Sequence, residues 1–303
     1  MTRVDVIVAV RNEEQSIPVF LDRIAALQLP EGVDLRVIFV EDSSTDGTRP
    51  LLRRLANEAP AVSYYTLAQG FGQGPAVVFG LSRSTADAMI TMDVDGSHPA
   101  AVIPEMIREY LGGAQVVQCV RRTLSNRRVH RRLGAAAFQL VARLLTGVDT
   151  TEQNIFYRLI SGSVARELLQ HPRYWRWLRF PLPRQPGALF KVSIDTEERV
   201  YGESKYSVRR LVNLAIDGTL SLMPTARLVT LLGIAGVAAI LLYHNGLWVP
   251  ALAAVGGVTW VLRRYAALYR PDVLQQMQIA ECGNVAGSAT AGAARAGGAA
   301  RLR

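Results

Sequence analysis

Asp93 and Asp95 stand one residue apart at the end of a short apolar run, in the stretch A-M-I-T-M-D-V-D-G-S-H-P from Ala88 to Pro99. Side chains alternate along an extended backbone, so both carboxylates can leave a strand end on one side. Held that close they repel. A hard divalent cation, Mg²⁺ or Mn²⁺, removes the repulsion and leaves coordination positions open for a diphosphate. Taken alone, an Asp-x-Asp pair is more often a solvated turn after a strand, so its meaning depends on what else is delivered beside it.

The preceding chain predicts the elements that make this delivery. Val4 to Val10 is a β-branched run that ends at Arg11-Asn12-Glu13-Glu14, and from Ser16 an apolar face of Ile17, Phe20, Leu21, Ile24 and Leu27 marks a helix. Leu35 to Val40 repeats the pattern and stops at Glu41-Asp42-Ser43-Ser44-Thr45-Asp46-Gly47-Thr48. Val62 to Leu67 leads into Gly70-Phe71-Gly72-Gln73-Gly74 and another helix, and Gln115 to Val120 makes a fifth strand. Strands alternating with helices predict an α/β fold with a doubly wound, mostly parallel sheet, in which ligands bind outside the carboxyl ends of the strands. Glu13, Asp42, Asp93 and Asp95 all fall at such ends and are expected to converge on one crevice. The Gly70-x-Gly72-x-Gly74 segment has the wrong position and spacing for a dinucleotide loop and reads as a tight turn.

Charge and apolar runs bound the partners. The chain has 303 residues, half of them apolar, and a formal net charge of +9, which points to an anionic partner. Arg121 to Arg132 is strongly basic and opens a helix with one apolar side; Tyr174 to Phe180 mixes aromatics with arginines. That mixture suits either stacking on single-stranded nucleic acid or a bilayer headgroup region. Leu228 to Leu262 runs 35 positions without Asp, Glu, Lys or Arg, interrupted by His244-Asn245-Gly246. Two spans of about 16 to 18 residues would reach slightly less than the hydrocarbon thickness; a buried helical hairpin in a soluble core is the alternative. Arg227 before and Arg263, Arg264 and Arg270 after place both outer ends in the cytoplasm by the positive-inside rule. Cys119 and Cys282 lack metal-type spacing and read as reduced thiols, and no secretory signal is expected.

Six motifs together resemble family 2 glycosyltransferases, and more narrowly the polyprenyl-phosphate group related to dolichol-phosphate mannosyltransferase. They are Ala9-Val10-Arg11-Asn12-Glu13-Glu14, Val40 to Thr48, Phe71-Gly72-Gln73, Met92 to Pro99, Tyr157-Arg158-Leu159 and Gly202-Glu203-Ser204-Lys205-Tyr206. The resemblance implies a GT-A (Rossmann-like) fold followed by interface helices and a C-terminal transmembrane helical hairpin. The implied boundaries are a catalytic domain at 1–205, a juxtamembrane amphipathic helix at 206–226 and the membrane hairpin at 227–264. A cytoplasmic segment at 265–282 and a disordered tail at 283–303 follow.

The same resemblance implies roles position by position. Ala9, Asn12, Glu13, Asp42 and Asp93 match donor-binding positions, and Asp93, Asp95 and Ser97 the metal-binding motif. Arg121, Arg132, Arg199, Ser204 and Lys205 match the lipid-phosphate site; Glu152, standing where an acidic motif is usual, joins Asp93 and Asp95 as catalytic. The implied reaction is inverting transfer of a hexose from a nucleotide-diphosphate sugar to a polyprenyl phosphate. A UDP-sugar is favoured over GDP-mannose. The partners are then the sugar nucleotide, the lipid and a membrane, with no nucleic acid, a homo-oligomer left open, and the catalytic domain on the cytoplasmic face. Two rivals stand beside it: a sugar-to-sugar or processive polysaccharide synthase, and a non-catalytic, membrane-tethered nucleotide-binding protein.

Overall fold

The computed structural model describes residues 1–121, 140, 143–147, 154–170, 189–194, 213, 216–217, 219–220, 223, 225–268 and 277–284. Strands β1 (Thr2–Val10), β2 (Val33–Glu41), β3 (Val62–Leu67) and β4 (Ala88–Thr91) alternate with helices α1 (Ser16–Ala25), α2 (Thr48–Glu58) and α3 (Gln73–Arg83). Helix α4 (Ile103–Leu111), strands β5 (Val116–Arg121) and β6 (Asn154–Ser161), helix α5 (Gly162–Gln170) and strand β7 (Leu189–Ile194) follow. Then come two long helices, α6 (Thr225–His244) and α7 (Trp248–Leu268), and a last strand, β8 (Ile279–Gly283).

The strands form one eight-stranded sheet in the order β7-β5-β6-β4-β1-β2-β3-β8. β1 to β4 run parallel, but β6 lies antiparallel between β4 and β5, and β8 antiparallel to β3. The sheet is therefore mixed, where the strand-helix alternation predicts mostly parallel pairing. Local periodicity identifies a strand and is blind to the direction of its neighbour.

Period-2 alternation splits the core between the sheet's two faces. Val4, Val6, Val8, Val10, Val37 and Phe39 pack with α1, α2 and α4 on one side. Ile7, Ile38, Val40 and Met89 pack with α3 and α5 on the other. Helix α3 comes closest at Gly80, where an added Cβ would overlap the Ile7 side chain and stand 3.0 Å from Val40 Cγ2. This contact lets α3 carry Gln73, its first residue, to the carboxyl edge of β4.

The region after the hairpin departs from the expected boundaries. Within the expected cytoplasmic segment 265–282, β8 closes the sheet against β3, with Tyr65 opposite Cys282 and Tyr64 opposite Gly283. Gly283 and Asn284, placed at the start of the disordered tail, are fixed: Asn284 Nδ2 donates to the carbonyls of Pro60 and Val62 at 2.8 Å. Residues 285–303 lie outside the described set.

A charged latch holds β8. Arg53 donates two hydrogen bonds to Glu281, at 2.6 and 2.7 Å, and the Tyr64 hydroxyl a third at 2.5 Å. The Arg53 hydrogen bonds, outweighing partial burial, bring the Glu281 carboxyl down to about 2 from an ordinary 4.5. A depressed acid contributes stability that is complete above its unfolded value and is lost as pH falls toward the folded one. Amide-exchange protection along β8 is thus expected to be flat from pH 8 to 5 and to fall between about 4.5 and 2. Glu281→Gln should remove this acid transition; a transition of unchanged size in the variant would assign it to other groups.

Helix α6 has 20 residues and α7 has 21, longer than the expected spans and, at 1.5 Å per residue, about 30 Å each. Helix α6 is the one helix among the described residues long and apolar enough to cross a membrane. Tyr243 and Trp248 stack across the turn, rings 6.3 Å apart. At the other end Leu228 packs with Leu220 and Met223, and Arg227 Nη1 donates to the carbonyls of Leu144 and Leu145 at 3.1 and 3.0 Å.

Candidate active site at the carboxyl edge

Because β1 to β4 are parallel, the loops that follow them emerge on one edge. β5 points the same way as β4, both being antiparallel to β6, so Arg121 at its end also reaches this edge. The chain re-enters there at Asn154, two positions after Glu152, and leaves again after β7.

Hydrogen bonds lace the loops together in sequence order. Between the first and second, Asn12 N–H donates to Ser44 Oγ at 3.0 Å, Thr45 N–H to Asn12 Oδ1 at 2.8 Å, and Glu13 N–H to Thr48 Oγ1 at 3.0 Å. Asn12 sits at φ +57°, a left-handed conformation that asparagine tolerates better than most residues. Between the second and third, both oxygens of the buried Asp42 carboxylate accept backbone amides, from Phe71 at 2.6 Å and Gly72 at 2.8 Å. Gly72 turns into α3 at φ +90°, so the glycine-rich stretch is the tight turn its spacing predicts. Between the third and fourth, Gln73 Nε2 donates to Asp93 Oδ1.

The fourth loop is closed on itself. Ser97 N–H donates to Asp95 Oδ1 at 3.0 Å across Gly96 at φ +81°, and Asp93 N–H donates to His98 Nδ1 at 2.9 Å. Beneath it, Arg158 of β6 pairs in register with Thr91 and is wholly buried. Burial lowers its pKa to about 10, so the guanidinium stays charged at neutral pH.

The sequence-predicted residues divide accordingly. Asn12, Glu13, Asp42, Asp93, Asp95 and Ser97 share the edge. Glu13 Oε2 accepts from Ser16 Oγ at 2.8 Å at the start of α1. Ala9 is a half-buried strand residue opposite Val40 and has only backbone to offer a ligand. Glu152, Arg132, Arg199, Ser204 and Lys205 lie outside the described residues, as does the side chain of Arg121. Gln73, His98 and Tyr157 stand inside the quoted motifs, but sequence reasoning gave them no role at the edge. Glu41, quoted in the second motif but given no role, has a wholly buried carboxylate that accepts from Ser44 N–H and from Arg49 Nε at 2.7 Å.

The donor set at the fourth loop suits a divalent cation of the Mg²⁺ type. Asp93 and Asp95 offer hard oxygens, and among the described residues no group of three or more His, Cys, Asp or Glu side chains gathers. Two carboxylates fit an ion that keeps waters and takes substrate phosphates for the rest, which is how Mg²⁺ is commonly held.

The profile of glycosyl transferase family 2 matches residues 5–178, which include every laced loop and β6. The chain belongs to glycosyl transferase family 2. Among curated members of the family, the bactoprenol glucosyl transferase of Shigella phage SfV is 31% identical over 222 residues, 72% of this chain and 71% of that one. The prophage bactoprenol glucosyl transferase homolog of Escherichia coli K12 is 28% identical over 219 residues, 72% of each. An undecaprenyl-phosphate 4-deoxy-4-formamido-L-arabinose transferase of Pseudomonas aeruginosa is 28% identical over 259 residues, 85% of this chain and 76% of that one. Among solved structures, glucosyl-3-phosphoglycerate synthase of Mycobacterium tuberculosis, in complex with Mn²⁺, UDP-glucose and phosphoglyceric acid, superposes with a TM-score of 0.51 at 21% identity. That overlap covers 75% of this chain and 79% of the other. At such identity the likeness speaks to the fold, a GT-A-like mixed α/β sheet, which this family 2 enzyme shares.

Proposed function

We propose that the protein transfers one hexose from a nucleotide-diphosphate sugar to a polyprenyl phosphate, with inversion at the anomeric carbon. One observation carries the reading: the family match spans all four laced loops, and relatives of comparable length are named as transferases of bactoprenol or undecaprenyl phosphate. An oxygen of the acceptor phosphate bonds to the anomeric carbon as the bond to the diphosphate breaks, and the nucleoside diphosphate leaves. That oxygen is already ionised at neutral pH, so the reaction demands positioning and charge compensation more than a strong base.

Each residue then has a task. Asn12, Glu13 and Asp42 shape the pocket for the base and ribose, with Ala9 lining it through its backbone. Asp93, Asp95 and Ser97 would hold Mg²⁺ or Mn²⁺, which supplies positive charge against the departing diphosphate. Arg121, Arg132, Arg199, Ser204 and Lys205 offset repulsion between two phosphorylated substrates and aim the attacking oxygen. Glu152 is assigned as a further catalytic carboxylate.

The lipid acceptor brings the hairpin into the mechanism. Helices α6 and α7 are each about 30 Å long, the thickness of a hydrocarbon core, and expose Val229, Ile234, Val237, Val249 and Leu252. The chain enters α6 close to Leu144 and returns after α7 to pair β8 with β3, so both outer ends belong with the catalytic sheet. Among the described residues helix α6 alone is apolar enough to cross by itself; a hairpin in which α7 crosses paired with it, both outer ends in the cytoplasm, fits that geometry and the arginines at Arg227, Arg263 and Arg264.

Membranes carrying the protein, incubated with labelled UDP-glucose, UDP-galactose, UDP-N-acetylglucosamine and GDP-mannose, test the reading. Label from one donor, with a UDP-sugar favoured, should enter the organic phase. Donor binding without consumption across the whole panel would contradict it.

A further inference from the structure

We propose that His98 and Tyr157 are positioning residues that lock the turn from Asp93 to His98, so that Asp93 and Asp95 face one cation before any substrate arrives. The inference rests on the reading of those two acids as the cation-holding pair. Its starting point is a backbone donor. Met92 N–H still reaches the Ile7 carbonyl, at 3.4 Å, but the β1–β4 ladder ends at Ile7 and Thr91. Asp93 N–H therefore needs an acceptor from elsewhere, because a partly buried amide left unpaired forfeits a hydrogen bond. The acceptor is His98 Nδ1 at 2.9 Å. Accepting there puts the neutral ring's proton on Nε2, the nitrogen that lies 4.0 Å from Asp93 Oδ2. One imidazole thus holds the backbone of Asp93, with its second nitrogen facing the carboxylate beyond hydrogen-bond reach, while Gln73 takes Oδ1.

The imidazole is itself fixed. His98 is 5% exposed and stacks on Tyr157, with ring centroids 5.0 Å apart and planes at 15°. The Tyr157 hydroxyl donates to the Pro99 carbonyl at 3.0 Å, so β6 holds both His98 and the residue that follows it. Inside this ring lie Gly96 in the left-handed region and the Ser97 amide on Asp95 Oδ1. Contacts from the core hold the shape of the turn. Such outer partners of a metal ligand commonly change metal affinity when replaced.

The alternative is a buried histidine that only fills space, and three variants of the full-length, detergent-solubilised protein separate the two. His98→Phe keeps the ring stack and removes the acceptor. His98→Asn places an amide oxygen near the Nδ1 position and removes the stack. Asp95→Ala is the control. Mn²⁺ affinity is read by the paramagnetic signal of free Mn²⁺, with UDP in one arm and GDP in the other, and thermal unfolding is read in parallel. His98→Phe should weaken Mn²⁺ binding roughly 10- to 100-fold, and His98→Asn should stay within a few-fold of the parent even where its melting temperature is lower. A space-filling role would make affinity follow melting temperature across the variants. Parent-like Mn²⁺ affinity in His98→Phe, or equal losses in both His98 variants, overturns the proposal while leaving the cation pair in place. If His98→Phe does not fold, His98→Asn decides alone, since a tenfold loss there overturns the acceptor role. Mn²⁺ binding that Asp95→Ala leaves untouched in both arms overturns the cation reading itself, and this inference with it.

Discussion

Asp95→Ala is expected to lower transfer of the hexose to lipid by at least roughly 10³-fold, with thermal stability changed by less than about 1 kcal/mol. The large term is electrostatic. In the proposed reaction the departing diphosphate gains negative charge as the anomeric bond breaks, and Asp95 is one of the two carboxylates that would hold a compensating cation there. The small term follows from the site's position. Asp95 is half-buried and in a loop, where it accepts the Ser97 amide at 3.0 Å. The measurement is an initial rate of labelled lipid under saturating metal, paired with a thermal melt. Unchanged turnover in a folded Asp95→Ala protein would remove the fourth loop from the mechanism.

Asp42→Ala is expected to fail differently, by loosening the fold and the donor pocket together. The Asp42 carboxylate is 3% exposed, accepts the amides of Phe71 and Gly72, and lies beside a backbone bond from its own N–H to the Val10 carbonyl at 2.9 Å. Hydrogen bonds to a charged group contribute about 1.5–3 kcal/mol each and are not additive, so a loss of about 3 kcal/mol is expected. The third loop then loses its anchor at the point where α3 begins, and Gln73 loses its aim at Asp93. Chemical denaturation should show the lower midpoint, and affinity for the nucleotide of the donor it accepts should fall with it. Parent-like stability would mean that the two amides find water or another acceptor at no cost.

Much of this is legible in the sequence. Alternating runs locate β1 to β5 to within a residue or two, and the polar clusters after β1, β2 and β4 mark the edge that the parallel pairing then assembles. β6 escapes the pattern because its place between β4 and β5 is a matter of long-range pairing. β8 escapes because Ile279 to Gly283 is short and stands beside a tail-like composition; its partner Tyr64 is 217 positions away. Site chemistry divides along the same line. Charged residues announce themselves, whereas Gln73 and His98 matter through what they touch. Asp42, read as a donor ligand, is first of all the clamp on the third loop, which no spacing rule conveys.

The most direct test is a mass measurement on the lipid product of the purified protein supplied with undecaprenyl phosphate, Mn²⁺ and the donor it accepts. The account requires a single product heavier than the acceptor by one anhydrohexose, labile to mild acid and of opposite anomeric configuration to the donor. A ladder of hexose additions, or sugar joined to sugar with the lipid phosphate untouched, would contradict it.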